Sequence, residues 1–128
     1  MSRNAIERCR RIVKYPDRFH VASAERLPFD DGAFDFALDI GCLHCLRPDL
    51  QEPALAEIAR VLRAGGVLMS RVFKPRDRTW LDRQPLRLSA AGMDASALQG
   101  LLRPHFDISH LREGENVHIV RAVRRQPD

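Results

Sequence analysis

Hydrophobic and polar positions follow two periods along this chain. Ala5, Ile6, Cys9, Ile12 and Val13 recur every three or four residues, which predicts an amphipathic helix over residues 2–14. Ser2 is placed to cap its free N–H groups, and Tyr15-Pro16-Asp17 stops it. Residues 18–22 then read as extended, with Phe19 and Val21 on one side. Leu27-Pro28-Phe29-Asp30-Asp31-Gly32 is rich in turn formers. The apolar run at 34–40, with Phe36, Ala37, Leu38 and Ile40, predicts a strand buried on both faces, as in a parallel sheet. Ala54, Leu55, Ile58, Val61 and Leu62 mark a second helix over 53–62. Pro53 suits its first turn, and Gly65-Gly66 is expected to end it in a left-handed cap.

A buried strand is expected at 67–73, followed by a polar surface excursion over 74–88 holding Pro75 and Pro85. Asp94 caps a short helix that turns Leu98, Leu101 and Leu102 inward, with Met93 stapled onto Leu98. Pro104 ends it. Residues 106–111 and 117–123 form two closing strands around Gly114, expected to pair as an antiparallel hairpin. Helix–strand–helix–strand–helix–hairpin is an α/β order. No repeat or linker divides it, so residues 1–128 are expected to form one domain.

Composition narrows the classes. With 45% hydrophobic and 30% charged residues the chain is globular in type, and no apolar run is long enough for a transmembrane helix. The arginine-rich start lacks the apolar core of a secretory signal, so a cytoplasmic protein without membrane association is expected. The net charge of +4 is almost all arginine and scattered; it permits phosphate contacts but reads first as solvated surface. Three cysteines without secretory context argue against a disulfide framework. Cys42-Leu43-His44-Cys45 has the spacing of a redox pair or half a zinc site. No second cysteine pair completes it, and small residues packing at a strand end are the plainer reading. No metal is expected.

An ordered set of motifs carries a resemblance. Ala24-Glu25-Arg26-Leu27-Pro28-Phe29, then Phe34-Asp35, then Leu43-His44-Cys45-Leu46, then Glu57-Ile58-Ala59-Arg60-Val61-Leu62 leading to Gly65-Gly66 stand in this order. Together they resemble the class I S-adenosylmethionine (SAM) methyltransferase domain, type 11-like, from its second helix onward. The fold this implies is a truncated Rossmann-like sheet with a C-terminal antiparallel hairpin. The resemblance implies that Ser23, Ala24 and Glu25 lie along the adenine of SAM, with Ser23 standing where most members carry an acid. It also implies that Asp39, Ile40 and Gly41 lie beside the methionine portion and the methyl acceptor. Asp39 and His44 are then the catalytic candidates, as orienting group and base. Beside these stand plainer roles: Asp39 capping nearby N–H groups, His44 a half-buried loop histidine, and Glu57 with Arg60 forming surface or packing ion pairs on their helix.

Leu38-Asp39-Ile40-Gly41-Cys42 looks like the start of the family's glycine-rich cofactor loop, but Leu43-His44-Cys45 follows instead of further glycines. The motifs at 57–66 fix this strand as the fourth of the fold, not the first. The strand–glycine-loop–helix–strand unit has no counterpart in this sequence. In the family's sheet order, 3-2-1-4-5-7-6, its absence leaves a central gap with open strand edges. Three resolutions are open: the third and fourth strands close up, which is expected first; another copy or a complementary chain supplies the pairing; or these residues are a piece of a longer product. A SAM-dependent methyltransferase, or a fragment of one, is the first functional reading, with an acceptor that is a small molecule or rRNA. A non-catalytic methyltransferase-like module or partner subunit is the alternative.

Overall fold

A computed structural model describes residues 2–75 and 92–126. Helix α1 (Arg3–Ile12) begins where expected, with the Ser2 hydroxyl accepting from the Ala5 N–H at 3.3 Å. Strand β1 (Phe34–Ile40) leads through a short 3-10 turn, Leu43–Cys45, to helix α2 (Pro48–Val61). Strand β2 (Leu62–Phe73) follows, then helix α3 (Ala95–Leu102) and the hairpin of β3 (Phe106–Glu113) with β4 (Val117–Arg124). The sheet order is β1-β2-β4-β3; β1 and β2 are parallel and the other pairs antiparallel.

Helices α2 and α3 cover one face of this sheet. Leu55 and Ala59 of α2, with Leu98 and Leu102 of α3, pack over Leu68, Val72, Phe106, Val120 and Ala122, all but Ala59 essentially inaccessible. Burying side chains of this size contributes about 1.5–3 kcal/mol each. Met93 and Leu98 both belong to this core, and Asp94 caps α3 by accepting from the Ala97 N–H at 2.7 Å. The expected excursion lies almost wholly outside the described residues.

Five expectations change. Residues 18–22 form no strand; a 3-10 turn at Pro16–Arg18 and an isolated Ser23–Arg26 bridge stand there instead. The third and fourth strands therefore do not close up, and among the described residues β1 is left as a sheet edge. For the same reason β1 is not buried on both faces: Phe36, Leu38 and Ile40 are 51%, 61% and 63% exposed. Helix α2 starts at Pro48 rather than Pro53. Both prolines suit a first turn, and the earlier one takes it, leaving Pro53 inside the helix without an N–H for the ladder. Gly65-Gly66 does not cap α2. It lies in a wide bulge of β2, where Phe34 pairs with Leu62 but Phe36 with Val67. Gly65 supplies the positive φ of 74° that this bulge needs.

Candidate functional site

The carboxyl ends of β1 and β2 carry the groups that the sequence singles out. Asp39 is buried, 7% exposed, on the helix-covered face opposite Ser70. Its Oδ1 accepts from the backbone N–H groups of Cys42 (2.9 Å) and Leu43 (3.3 Å), and its Oδ2 from the Ser70 hydroxyl at 2.5 Å. Asp39 thus fixes the turn that follows its own strand. An ionised carboxylate has about four lone-pair sites, so about one is left for a further donor. Gly41, at φ 79°, lets the chain turn between Asp39 and its two backbone partners.

His44 lies inside this turn, 3% exposed, edge-on to Phe73 with ring centroids 5.0 Å apart. Its Nδ1 accepts from the Phe73 N–H at 3.4 Å. The ring is built into the junction of β1 and β2 rather than presented to solvent. Cys42 and Cys45 flank it, both partly accessible. Partial burial first, and the Asp39 carboxylate second, push both thiols up from their ordinary range. A raised thiol is a poor nucleophile near neutral pH. Among the described residues no group of three or more His, Cys, Asp or Glu side chains is arranged to hold a metal ion.

Ser23, Ala24 and Glu25 form a tight turn closed by an Arg26 N–H to Ser23 carbonyl bond of 3.1 Å. The nearby Ser23 hydroxyl first, and a backbone N–H second, hold the Glu25 carboxyl below the usual value. The turn reaches the end of β1: Ala24, Leu27, Asp39, Ile40, Cys42 and Leu43 help to line one cavity of about 340 Å³. Two segments that lie fifteen residues apart in the chain, at Ala24 and Asp39, so face a common space. Ser23, Glu25, Gly41 and His44 are outside its lining.

A clasp missed by the ion-pair reading holds this arrangement. Glu57 Oε2 accepts from the Leu27 N–H at 2.8 Å, and both Glu57 oxygens take Arg60 donors at 2.6 and 2.9 Å. Arg60 also donates to the carbonyls of Phe29 (2.8 Å) and Leu27 (3.1 Å) and to Asp31 (2.7 Å). Its own carbonyl accepts from the Gly32 N–H at 2.9 Å. One helical turn therefore holds four backbone groups of the Leu27–Gly32 loop, at Leu27, Phe29 and Gly32, and that loop carries the Ala24 turn to β1. Hydrogen bonds from Arg60, then the Leu27 N–H, lower the Glu57 carboxyl to about 2. The signal in the sequence was the Glu-x-x-Arg spacing itself, read as one helix's internal pair instead of a clamp on a loop thirty residues away.

The profile of a family described as a methyltransferase domain matches residues 1–70, more than half of the chain. The chain belongs to this family. It is a class I SAM-dependent methyltransferase domain whose Rossmann-like sheet is incomplete. A phthiotriol/phenolphthiotriol dimycocerosates methyltransferase of Mycobacterium tuberculosis is 34% identical over 108 residues, 79% of this chain and 39% of that protein. The chain spans about two fifths of the length of these curated relatives. A 1,6-didemethyltoxoflavin-N1-methyltransferase of Burkholderia thailandensis, solved with that compound and S-adenosylhomocysteine, is 27% identical. Its TM-score is 0.66, over 85% of this chain and 51% of that one. A Pyrococcus horikoshii protein, 18% identical, shares the fold with a TM-score of 0.77 over 97% of this chain and 68% of that one. Among the described residues no helix of this methyltransferase domain is long and apolar enough to cross a membrane.

Proposed function

We propose that these residues form the acceptor-side part of a SAM-dependent methyltransferase that methylates a small molecule. The observation that carries this reading is the common cavity of Ala24 with Asp39 and Ile40, within the span that matches the family. The residues present fit one flank of the cofactor. Ser23, next to Ala24 in the tight turn but outside the cavity lining, has hydroxyl lone pairs that would accept from the adenine amine. Ala24, Leu27 and Ile40 offer an apolar wall. Bound SAM supplies a methyl group on a positively charged sulfur, ready for in-line attack. Asp39, already tied to Cys42, Leu43 and Ser70, has one acceptor site left with which to orient a donor on the methyl acceptor or on the cofactor's amino group. That makes it an orienting group more than a proton carrier. His44, enclosed beside Phe73, shapes the turn instead of acting as the base. The small-molecule acceptor is favoured by the names of the Mycobacterium and Burkholderia relatives, both of which specify one.

Calorimetric titration with SAM and S-adenosylhomocysteine, and methyl transfer from labelled SAM, test the proposal on the protein in its cellular assembly. Binding in the micromolar range, weakened by Asp39→Ala, is expected. No heat at millimolar cofactor from that assembly sinks it and leaves the non-catalytic module.

A further inference from the structure

The turn that joins β1 to α2 sorts its residues by burial. Leu43 and His44 are buried, whereas Cys42 and Cys45 on either side of them are exposed among the described residues. The packing role expected of the cysteines is thus taken by the two residues between them. The same turn brings the cysteines together. The Cys45 N–H donates to the Cys42 carbonyl at 2.9 Å, the i to i+3 bond of a 3-10 turn, and side chains at those positions eclipse one another. Such a turn keeps its end Cα atoms within about 7 Å, and a disulfide asks for about 4.4–6.8 Å. Asp39 fastens the Cys42 and Leu43 N–H groups, and the Phe73 N–H bonds His44, so the backbone holds this shape before any bridge forms. Cys42 also lines the cavity of about 340 Å³ that it shares with Ala24, Asp39 and Ile40.

We propose that Cys42 and Cys45 are a redox modification site, a dithiol that closes into a reversible disulfide by exchange with a small disulfide such as oxidised glutathione. One cysteine thiolate attacks a sulfur of the small disulfide, whose other half leaves as a thiol with the displaced proton. The second cysteine attacks the cysteine sulfur of that mixed disulfide and releases the second small thiol. In all, two cysteine thiols lose two electrons, and one small disulfide is reduced to two thiols. The preformed turn makes the second attack intramolecular, which favours closure over a lasting mixed disulfide. Metal binding is a poorer use of the pair, because among the described residues no third His, Cys, Asp or Glu completes a site. Few other thiols compete: Cys9 lies on α1, and residues 76–91 contain no cysteine. Partial burial and the Asp39 charge, which push both thiols up, slow an attack that needs a thiolate and make each bridged sulfur a slower leaving group. The bridge is therefore slow to make and slow to undo, a lasting mark instead of a rapid sensor. A molecule that fills the cavity covers Cys42 and slows the exchange further. That last consequence rests on the methyltransferase reading; the disulfide rests on the turn alone.

The test incubates the folded 128-residue chain with oxidised and reduced glutathione at mildly alkaline pH. Mass spectrometry then reads the tryptic peptide 27–60, which holds both cysteines. The expected product is lighter by two hydrogens, at least about tenfold more abundant than any glutathione adduct of that peptide, and restored by dithiothreitol. Cys42→Ser and Cys45→Ser are each expected to keep one glutathione on the remaining cysteine, with the circular dichroism of the chain unchanged. A folded chain that holds glutathione on these cysteines without closing, or leaves both unreacted, overturns the proposal. So does closure no more favourable in the folded chain than in urea at the same glutathione ratio. Saturating S-adenosylhomocysteine is expected to slow closure at least about threefold; closure at an unchanged rate leaves the disulfide standing and removes the cofactor placement alone.

Discussion

Replacing Glu57 by Gln keeps the shape of the loop clasp and removes its charge. In the native chain Glu57 accepts from the Leu27 N–H and from Arg60 twice; the amide of Gln has one oxygen for these three donors and turns an NH2 toward the others. The carboxyl is lowered to about 2 from an ordinary 4.5, so the folded state prefers the charged form. The stabilisation is therefore complete above about pH 4.5 and fades as pH falls through about 2. Full conversion of that depression would be about 3 kcal/mol. Solvent reaches the pair, with Glu57 19% and Arg60 32% exposed, and screening leaves about 1–2 kcal/mol as the expected share. Urea unfolding of Glu57→Gln against the native chain should show that loss at pH 7 and 5, and a difference shrinking steadily from pH 4.5 to 3. Faster exchange of the Leu27 and Gly32 amides should accompany it. A difference that stays constant across that range, or an unchanged stability at pH 7, would refute the charge-based account.

Substitutions at four other positions probe the site and its frame. Asp39→Ala strands the Cys42 and Leu43 N–H groups and the Ser70 hydroxyl, and should cost about 2–3 kcal/mol in urea unfolding, more than Asp39→Asn, which keeps one acceptor. Gly66→Ala sets a new Cβ 2.8 Å from the Arg63 carbonyl oxygen and 3.2 Å from that of Asp35; a loss of about 1–3 kcal/mol is expected, and none would mean that the bulge is looser than its pairing implies. Leu38→Lys should change the stability of the isolated chain by less than about 0.5 kcal/mol, whereas Val72→Ala, fully buried, should cost about 2 kcal/mol or more.

Local patterns were legible in the sequence wherever one residue decides them. Ser2 and Asp94 were read as helix caps and bond as such, and the hairpin of β3 and β4 lies where the two strands flanking Gly114 were expected. Burial was not legible, because it depends on neighbours. Phe36, Leu38 and Ile40 have the composition of a doubly covered strand, yet no element among the described residues covers them. The extended pattern at Phe19 and Val21 misled for the same reason: a strand exists only when a ladder partner does. Gly65-Gly66 follows a helix as a cap would, and only pairing with β1 reveals it as a bulge. At the site, the resemblance set Ala24 and Asp39 along different portions of one cofactor, and the structure puts both in the lining of one cavity. The plainer role read for Asp39, capping nearby N–H groups, is present at Cys42 and Leu43; its Ser70 partner was not legible, because no sequence spacing links 39 to 70.

The core and the site divide the sheet between them. Every buried apolar group of the main cluster lies on the side of α2 and α3, so the driving force for folding is held on one face and needs nothing from the other. The Glu57–Arg60 clasp ties the Leu27–Gly32 loop to that same layer, which sets the Ala24 turn against the end of β1 without help from a neighbouring strand. The opposite face and the outer edge of β1 add little to this stability and expose what a bound partner would bury. A sheet divided in this way can hold half of a ligand site in shape before the other half arrives, because the residues that line the cavity are fixed from the covered side.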